Sequence, residues 1–571
     1  MDNQRNLFVA VVLCLALLLG FDLLMDQLFP QPALNERVTS QAETPIQQVA
    51  HESAATVAEQ RRDLRTALAA RERVRIDGPK VAGSISRVGA RIDDITLKSH
   101  RQTVDTDSGP VRLFSPAGTP TQQFAQFAWL GEGVRLPSAN TVWQAEGGPL
   151  APGRPVTLIW DNGQGQRFTI RFSVDEYYML EAEQTVANFA PGPVVVRPYA
   201  FIKRTSRTAD DDTFNVHSGP IGHFGGEVDF DWSYGDVREA GTVSAEGRTG
   251  WIGFTDIYWL SALVPQPGAS VGGEFRSLGQ ALYRAEVIYD SVTLAPNARV
   301  TRTTQLFVGA KESTVLDHYE NVGIDDFGLA IDWGWFRWFM YPIVWLLRQL
   351  FALTGNFGVA ITLLTVIVRA LVFPIAQRGF AGMAAMRAVQ PKMKALQDRY
   401  KDDKPRLQQE MAKLYKDENI NPLSGCLPVL LQVPIFFALY KVLLIAMEMR
   451  HKPFALWIRD LSAPDPATIL NFFGFLPFDP PSFLAISVLA VLLGVTSWLQ
   501  LKLNPAPTDP VQQRVLLIMP WMLMFAMSWA AAGLLLYWIT SNVFTVAQQK
   551  LLHAKHVQMG ERRPLPDGTA P

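Results

Sequence analysis

The sequence has little cysteine, no phosphate-binding loop and almost no net charge, and each of these absences narrows what the chain can be. Only Cys14 and Cys426 occur among 571 residues, both in or beside apolar segments, so no disulfide framework is expected. No GxxxxGK(S/T) motif is present, and nothing therefore indicates nucleotide hydrolysis. A formal net charge of −1 gives no reason to expect DNA as the main ligand. We expect a non-enzymatic protein without a cofactor or a metal site.

Charged residues make up only 18% of the chain and are unevenly distributed. Residues from about 31 to 325 have the composition of a soluble domain, whereas apolar runs dominate from about 334 to 552. A soluble part joined to a membrane part is therefore expected. The first apolar run lacks a small-residue cleavage site, which favours an uncleaved membrane anchor at 1–29 over a cleaved signal peptide. The polar residues 30–75 that follow are interpreted as a tether.

The region 76–325 has a pattern typical of β-strands. Apolar and polar residues alternate strictly in 167–175, which places one set of side chains on one face. That apolar set is Phe168, Ile170, Phe172 and Val174. Asp161-Asn162-Gly163 ahead of it indicates a hairpin with 157–160. Further strands are expected at 91–98, 110–115, 178–188, 193–202, 250–262, 282–294 and 299–309. The region predicts a large antiparallel β-sandwich, with no convincing acid–base pair.

The segment 326–354 is apolar and rich in tryptophan, but it is interrupted by Arg337, Pro342 and Arg348. Aromatic residues of this kind prefer the headgroup boundary of a bilayer. We therefore interpret the segment as an amphipathic helix on the membrane surface and not as a crossing.

The stretch from Gly355 to Gln377 is long enough to cross a bilayer, yet it contains Arg369. An arginine at membrane depth costs at least ~2.5–3.5 kcal/mol and by default faces a bundle interior or a watery cavity. No Asp or Glu lies deep inside the later apolar segments to pair with it. A hydrated cavity around Arg369 is the favoured interpretation; a structural ion pair with a neighbouring span is the alternative.

The polar insert 378–422 divides into two amphipathic helices, the second of which starts at Asp402, Asp403 and Pro405. Its excess of Lys and Arg over the connector at 448–481 predicts that this hairpin is cytoplasmic. The tail 553–571 is expected on the same side.

No charged residue occurs from Val515 to Gln549. A single helix of that length would extend about 50 Å, against a hydrocarbon core of ~30 Å. The stretch is therefore expected to turn back near Ala530–Gly533, with two short arms that thin the bilayer locally. A helical core at 355–552 would then cross five times, at about 356–377, 427–447, 482–501, 515–530 and 533–550. With the anchor there are six crossings, both chain ends are cytoplasmic, and the β domain lies on the other side.

Several short motifs lie in order along this helical core. They are Ile367-Val-Arg369, Gln390-Pro391-Lys392, Asn421-Pro422-Leu423-Ser424-Gly425-Cys426, Gln432-Val-Pro-Ile-Phe436, Pro453-Phe-Ala-Leu-Trp457, Asp509-Pro510 and Gly533-Leu-Leu-Leu-Tyr537. Each is weak by itself. Together, on helices of the right spacing, they resemble the YidC-type membrane protein insertases of Gram-negative bacteria.

The resemblance implies a periplasmic β-sandwich and a hydrophilic groove, open to the cytoplasm and to lipid, with an arginine at its centre. The groove residues by resemblance are Arg369, Thr365, Gln432, Tyr537 and Trp538. Trp538 replaces the second of two tyrosines in the family pattern, which removes a hydroxyl from that position. An apolar seam along which substrate slides into lipid is expected at Val433, Pro434, Phe436, Phe525 and Trp529.

The resemblance also implies that the protein moves nascent inner-membrane proteins from the cytoplasm into the bilayer of the bacterial inner membrane, alone or with the Sec translocon. The basic hairpin 378–422 would meet the ribosome, a targeting receptor or anionic membrane lipid. Two alternatives remain open. One is a solute transporter or channel with Arg369 as an anion site, and the other is a β domain that is itself an enzyme or a sugar-binding module.

Overall fold

The computed structural model describes residues 63–69, 73–105, 107–206, 216–334, 336–400, 403–418, 427–471, 476, 486–503 and 510–561. The anchor expected at 1–29, most of the tether and the last ten residues of the tail lie outside the described residues. The chain divides into two compact units after Asp332, and we call them the β unit and the helical unit.

The β unit contains nineteen strands and three short α-helices among its described residues. Its first part runs α1 (Leu64–Leu68), β1 (Arg73–Asp77), β2 (Val81–Ser86), β3 (Arg91–Arg101), β4 (Pro110–Phe114), β5 (Gln123–Glu132), β6 (Gln144–Glu146), β7 (Val156–Asp161), β8 (Gln166–Val174), β9 (Met179–Asn188), β10 (Val194–Thr205), β11 (Gly219–Phe224) and β12 (Glu227–Asp229). The second part runs α2 (Tyr234–Ala240), β13 (Thr242–Ser244), β14 (Thr249–Thr255), β15 (Trp259–Pro265), β16 (Val271–Ser277), β17 (Leu282–Tyr289), β18 (Val292–Leu294), β19 (Arg299–Ala310), α3 (Ser313–Asn321) and a 3-10 helix (Phe327–Ala330).

The strands form two antiparallel sheets that face each other. One has the order β1-β2-β3-β5-β10-β17-β16-β13, with β4 on β3 and β18 on β10. The other has the order β12-β11-β14-β15-β19-β9-β8-β7-β6. Rings from the two sheets meet between them, as in Phe127 against Phe172 at 5.7 Å and Phe254 against Phe275 at 6.2 Å. The expected antiparallel β-sandwich is therefore confirmed.

The hairpin expected near Asp161-Asn162-Gly163 is also confirmed. Strands β7 and β8 pair antiparallel with Trp160 opposite Phe168. The alternating residues Phe168, Ile170 and Phe172 are fully buried, because every second side chain of β8 points into the space between the sheets.

Two of the expected strands are each divided in two, so those single-strand predictions are wrong. The stretch 250–262 forms β14 and β15, which turn at Asp256. The backbone amide of Asp256 donates to the carbonyl of Trp259, and its carboxylate receives a hydrogen bond of 3.0 Å from buried Arg204. The stretch 282–294 is likewise broken between β17 and β18. Neither turn contains glycine or proline, so the usual sequence signal is missing.

The β unit extends beyond the expected limits of 76 and 325 at both ends. Strand β1 begins at Arg73, within the expected tether, because Val74 and Ile76 are buried and Arg73 forms an ion pair with Asp93. At the other end Phe327 packs against Trp251 at 5.4 Å and is fully buried. The residues from 326 to 332 therefore belong to the sandwich and not to the amphipathic helix.

The helical unit consists of long α-helices. They are α4 (Arg337–Thr354), α5 (Phe357–Arg399), α6 (Lys404–Asp417), α7 (Leu427–Ile445), α8 (Val488–Leu503), α9 (Pro510–Ala526) and α10 (Ala532–Glu561). A short 3-10 turn lies at Met447–Met449. Helix α8 packs against α9 and α10, while α5 packs against α4 and α10. Residues 527–531 between α9 and α10 form the turn expected near Ala530–Gly533.

Helix α5 continues without a break from the expected membrane span into the first helix of the hairpin expected at 378–422. The residues that follow Gln377 are rich in the good helix formers Ala and Met, and Pro374 and Pro391 do not end the helix. Within the described residues, Phe357–Ile375 is long and apolar enough to cross a membrane. The shorter apolar helices are Gln432–Ile445, Val488–Leu503 and Gln513–Ala526.

Candidate functional site

Arg369 lies about 18 Å along α5 from its first residue. The guanidinium Nε of Arg369 donates to the hydroxyl of Ser541 on α10 at 3.1 Å, and a terminal guanidinium nitrogen donates to the same hydroxyl. The side chain of Arg369 is half-buried. Within the described ranges no carboxylate lies at ion-pairing distance from it. Arg369 is thus held by a neutral partner.

A polar face of α10 forms the wall opposite Arg369. Tyr537, Ser541 and Thr545 are spaced four residues apart, so they lie on one side of the helix, and all three are buried. Gln432 of α7 donates through its amide nitrogen to the hydroxyl of Tyr537. Three helices, α5, α7 and α10, are therefore joined by polar side chains at this level.

Ser541 and its neighbour Asn542 were not among the residues expected at the site. The amide nitrogen of Asn542 donates to Thr496 at 3.2 Å and to Ser497 at 3.0 Å, both on α8. The four-residue spacing of polar residues in a charge-free stretch was the signal that could have identified Ser541.

The structure brings the other expected groove residues close to this polar face but gives them different contacts. Thr365 is buried one turn before Arg369, and its hydroxyl donates to the carbonyl of Ile361 at 2.8 Å. Trp538 packs edge-to-face against Phe436 of α7, with ring centroids 4.8 Å apart. Trp538 thus makes an aromatic contact at the position where the resemblance leads us to expect a tyrosine hydroxyl.

Residues expected on the apolar seam lie mostly at the surface of the helical unit. The side chains of Val433, Phe525 and Trp529 are 43%, 54% and 66% exposed. Pro434 and Phe436 are half-buried. Phe436 alone of this set has a described ring contact with a groove residue.

The connector after α7 covers one end of the helix bundle. The amides of Ala532 and Gly533, at the start of α10, donate to the carbonyls of Ala463 and Leu461 at 2.8 and 2.9 Å. Asn356, which caps α5, donates to the carbonyl of Phe454 at 2.8 Å. This end of the bundle lies opposite the basic hairpin of α5 and α6.

Asp465 fixes the connector to the first turn of α8. Its carboxylate accepts hydrogen bonds from the amides of Leu489 and Ala467 and from the indole of Trp457, at 2.9 to 3.0 Å. Burial raises the pKa of Asp465, although these hydrogen bonds oppose the shift. At the entrance to the same connector, Arg348 of α4 forms an ion pair with Glu448 at 2.7 Å.

The hairpin of α5 and α6 has its own small core. Val389 and Met393 are buried there, and the residues packed against them are Met386, Met411, Leu414 and Tyr415. Lys392 forms an ion pair with Glu418 at 2.5 Å. Among the described residues, no group of His, Cys, Asp and Glu side chains could hold a metal ion.

The fold and these contacts define a class of protein, a helical membrane protein with a polar site inside its bundle and a separate β-sandwich. Comparison with known proteins identifies the family. Residues 349–559 match a family model described as the 60Kd inner membrane protein, and residues 73–346 match the YidC periplasmic domain.

A membrane protein insertase YidC from Methylorubrum extorquens is 44% identical over 502 residues, which are 85% of this chain and 82% of that protein. The YidC of Zymomonas mobilis is 40% identical and covers 98% of this chain and 97% of its own. A crystal structure of an active YidC insertase with its first transmembrane domain resolved covers 84% of this chain at 19% identity and a TM-score of 0.37. The chain belongs to the YidC family of membrane protein insertases, which confirms the resemblance carried by the motifs.

Proposed function

We propose that this membrane protein insertase moves nascent proteins from the cytoplasm into the lipid bilayer through a hydrophilic groove centred on Arg369. The groove is formed by Arg369, Thr365, Gln432, Tyr537 and Trp538, with Ser541 added as the partner of the arginine. No nucleotide is hydrolysed, because transfer of the substrate's apolar segment from water to lipid supplies the free energy. The proposal rests mainly on the observation that Arg369 is hydrogen-bonded to a neutral hydroxyl, that of Ser541, and not to a described carboxylate.

The guanidinium of Arg369 has donors to spare for substrate. A guanidinium offers five N–H donors, and its described contacts all go to the hydroxyl of Ser541. An acidic side chain in the polar segment of an incoming protein would form charge-assisted hydrogen bonds with the remaining donors. A structural ion pair would have occupied the arginine, whereas a hydroxyl leaves its charge uncompensated.

Short helices beside the groove reduce the distance that a polar segment must travel through hydrocarbon. Helix α8 has 16 residues and α9 has 17, which correspond to about 24 and 26 Å. A typical hydrocarbon core is ~30 Å thick, so the bilayer is thinner at this side of the protein.

The apolar segment of the substrate leaves the groove along the seam of Val433, Pro434, Phe436, Phe525 and Trp529. The high exposure of Val433, Phe525 and Trp529 supports a lipid-facing position for them. The contact between Phe436 and Trp538 supports a connection from the groove to this seam. Trp538 then acts on substrate by apolar contact and stacking.

The proposed topology follows from the charges and from the position of the connector. Both termini and the hairpin 378–422 are cytoplasmic. Helix α4 lies on the periplasmic surface of the inner membrane, and the connector closes the groove on that same side. An anchor at 1–29 adds a sixth crossing. Hydrogen bonds from Asn356, Ala532 and Gly533 to the connector support this closure.

The partners proposed are nascent membrane proteins, membrane lipid and the Sec translocon, with the ribosome and a targeting receptor at the basic hairpin. The small core formed by Val389 and Met393 supports the hairpin as a folded surface for such partners.

Crosslinking from the groove to a stalled nascent chain tests the proposal. A photoreactive residue at position 432 or 538 should crosslink to the apolar segment of a ribosome-bound client. The matched control is position 371 on the opposite side of α5, where Leu371 is 73% exposed. Crosslinks that are equally strong from position 371 would contradict passage through the groove.

A further inference from the structure

The β unit contains a cavity of about 720 Å³ to which the proposed groove assigns no role. It lies on the outer face of the nine-stranded sheet, since Ser173 lines it while the preceding Phe172 points to the opposite sheet. Strands β8, β9, β15 and β19 form its floor, and the segment that follows α3 forms one wall. A cavity of this size is in the range that holds a small organic ligand.

The floor of the cavity is a row of side chains in register on adjacent strands. Ser173 lies opposite Glu181, Glu181 opposite Gln305, and Gln305 opposite Val264. Residues paired in this way place their Cβ atoms about 5 Å apart. The amide nitrogen of Gln305 donates to the carboxylate of Glu181 at 3.5 Å, a long contact that leaves both groups available. The row therefore offers a hydroxyl, a carboxylate and an amide to one ligand.

The walls add further polar groups and an apolar surface. Exposed Arg248 lies at the rim. At one end lies His223, whose imidazole is buried and has its Nε2 3.5 Å from the carboxylate of Asp326. Apolar residues also line the cavity, among them Met179, Val264 and Ile324.

We propose that this cavity binds a neutral saccharide. Charges of both signs, Glu181 on the floor and Arg248 on the rim, disfavour a simple anion or cation. A polyhydroxylated ring satisfies hydrogen-bond donors and acceptors at the same time, and its C–H faces suit the apolar residues that line the cavity.

An extended peptide fits the same surface less well. Peptides that bind to sheets gain most from main-chain hydrogen bonds at an exposed sheet edge. The four floor strands each have a neighbour on both sides, so their main-chain groups are already paired. The cavity therefore offers side-chain hydrogen bonds only, which is the mode that suits a compact polar ring.

Binding of saccharides to the full chain in detergent tests this proposal, with a panel of galactose, N-acetylglucosamine and maltotriose measured by calorimetry and ligand-observed NMR. At least one sugar should bind saturably. Glu181→Gln and Gln305→Ala should each weaken its binding about tenfold, which corresponds to the loss of one hydrogen bond. The matched control is Glu183→Gln, which removes the same charge from the same strand outside the cavity lining.

Thermal unfolding of each variant shows whether the β unit remains folded. If Glu181→Gln or Gln305→Ala does not fold, Ser173→Ala is a milder change in the same cavity. Sugar binding that is lost in the cavity variants and kept in Glu183→Gln supports the proposal. It is overturned if no sugar in the panel binds, or if binding is the same in all variants. Saturable binding of an unstructured polar peptide, lost in the same variants, would also overturn it and assign the cavity to peptides.

Discussion

The uncharged partner of Arg369 determines what that residue can do for a substrate. A hydroxyl orients the guanidinium without neutralising it, and the positive charge remains available inside the bundle. In the proposed mechanism, water in the groove reduces the desolvation cost of the arginine.

Replacing Arg369 should therefore affect clients according to their charge. Arg369→Gln should lower insertion of a single-spanning client with an acidic translocated segment about tenfold or more, since a charge-assisted hydrogen bond contributes roughly 1.5–3 kcal/mol. Arg369→Lys keeps the charge and should lower insertion of the same client less than Arg369→Gln does. Protease protection after depletion of the wild-type protein measures insertion, with Leu371→Gln as the control. An equal loss for a client without acidic residues would contradict a role for the charge.

Glu312, in the β unit, gives a pH dependence whose sign follows from its contacts. Burial alone would raise its pKa, but hydrogen bonds from His100, Lys80 and Tyr178 outweigh burial and lower the pKa from 4.5 to about 2. The charged carboxylate therefore stabilises the β unit fully above about pH 4.5, and this contribution is lost as pH falls towards 2.

Glu312→Gln should lower the stability of the β unit at neutral pH and reduce its loss of stability between pH 4.5 and pH 2. Urea unfolding followed by tryptophan emission at a series of pH values measures this, and the control is Glu183→Gln, which removes a half-buried carboxylate paired with Arg171 at 2.8 Å. A variant with the same acid dependence as the wild type would show that Glu312 is not responsible.

At the scale of elements, the closed end of the helix bundle depends on close packing between α5 and the connector. A Cβ added at Gly358 would lie 2.0 Å from Phe454 Cδ2 and 2.7 Å from Phe454 Cβ. Rotation of the ring cannot relieve the second contact, so the helix and the connector would have to separate.

Gly358→Ala should therefore destabilise the helical unit by about 1–3 kcal/mol, the usual cost of overpacking. This exceeds the gain in helix propensity, which is at most ~1 kcal/mol. Thermal unfolding in detergent measures the loss. In the double variant with Phe454→Ala the two ring contacts at 2.0 and 2.3 Å are absent and only the contact with Cβ at 2.7 Å remains, so the two losses should be less than additive. Strict additivity would mean that the two residues do not press on each other.

The sequence predicted strands well where apolar and polar residues alternate, because only one face of such a strand is buried. It predicted strands poorly where the side chains on both faces are buried. In β8 the strict alternation gave both the strand and its buried face. Strand β5 was missed because Phe124, Ala125, Gln126 and Phe127 are all buried, so no alternation marks it. At the site, Arg369 could be identified because placing an arginine inside an apolar membrane segment costs free energy. Ser541 was not, because a serine in an apolar helix is inexpensive and its role depends on a partner 172 residues away.

At the scale of the whole molecule, the chain divides after Asp332, and the groove residues all lie in the helical unit. Deleting residues 73–332 should therefore leave insertion of small clients intact in a depletion strain. Arg369→Gln in the shortened chain should still reduce insertion, which controls for residual wild-type protein. Loss of insertion in the shortened chain at normal expression would show that the β unit takes part in the reaction.

The central claim, that the arginine sits in water reached from the cytoplasm, is tested most directly by the water accessibility of position 432, a groove residue that is half-buried where Ser541 is fully buried. The chain would carry Gln432→Cys with Cys14 and Cys426 replaced by serine, and a membrane-impermeant maleimide would be added to inside-out or right-side-out vesicles. Position 371, changed to cysteine in the same background, is the control on the opposite side of α5. We predict labelling at 432 from the cytoplasmic side only and none at 371. No labelling at 432 from either side, or labelling only from the periplasmic side, would contradict the account.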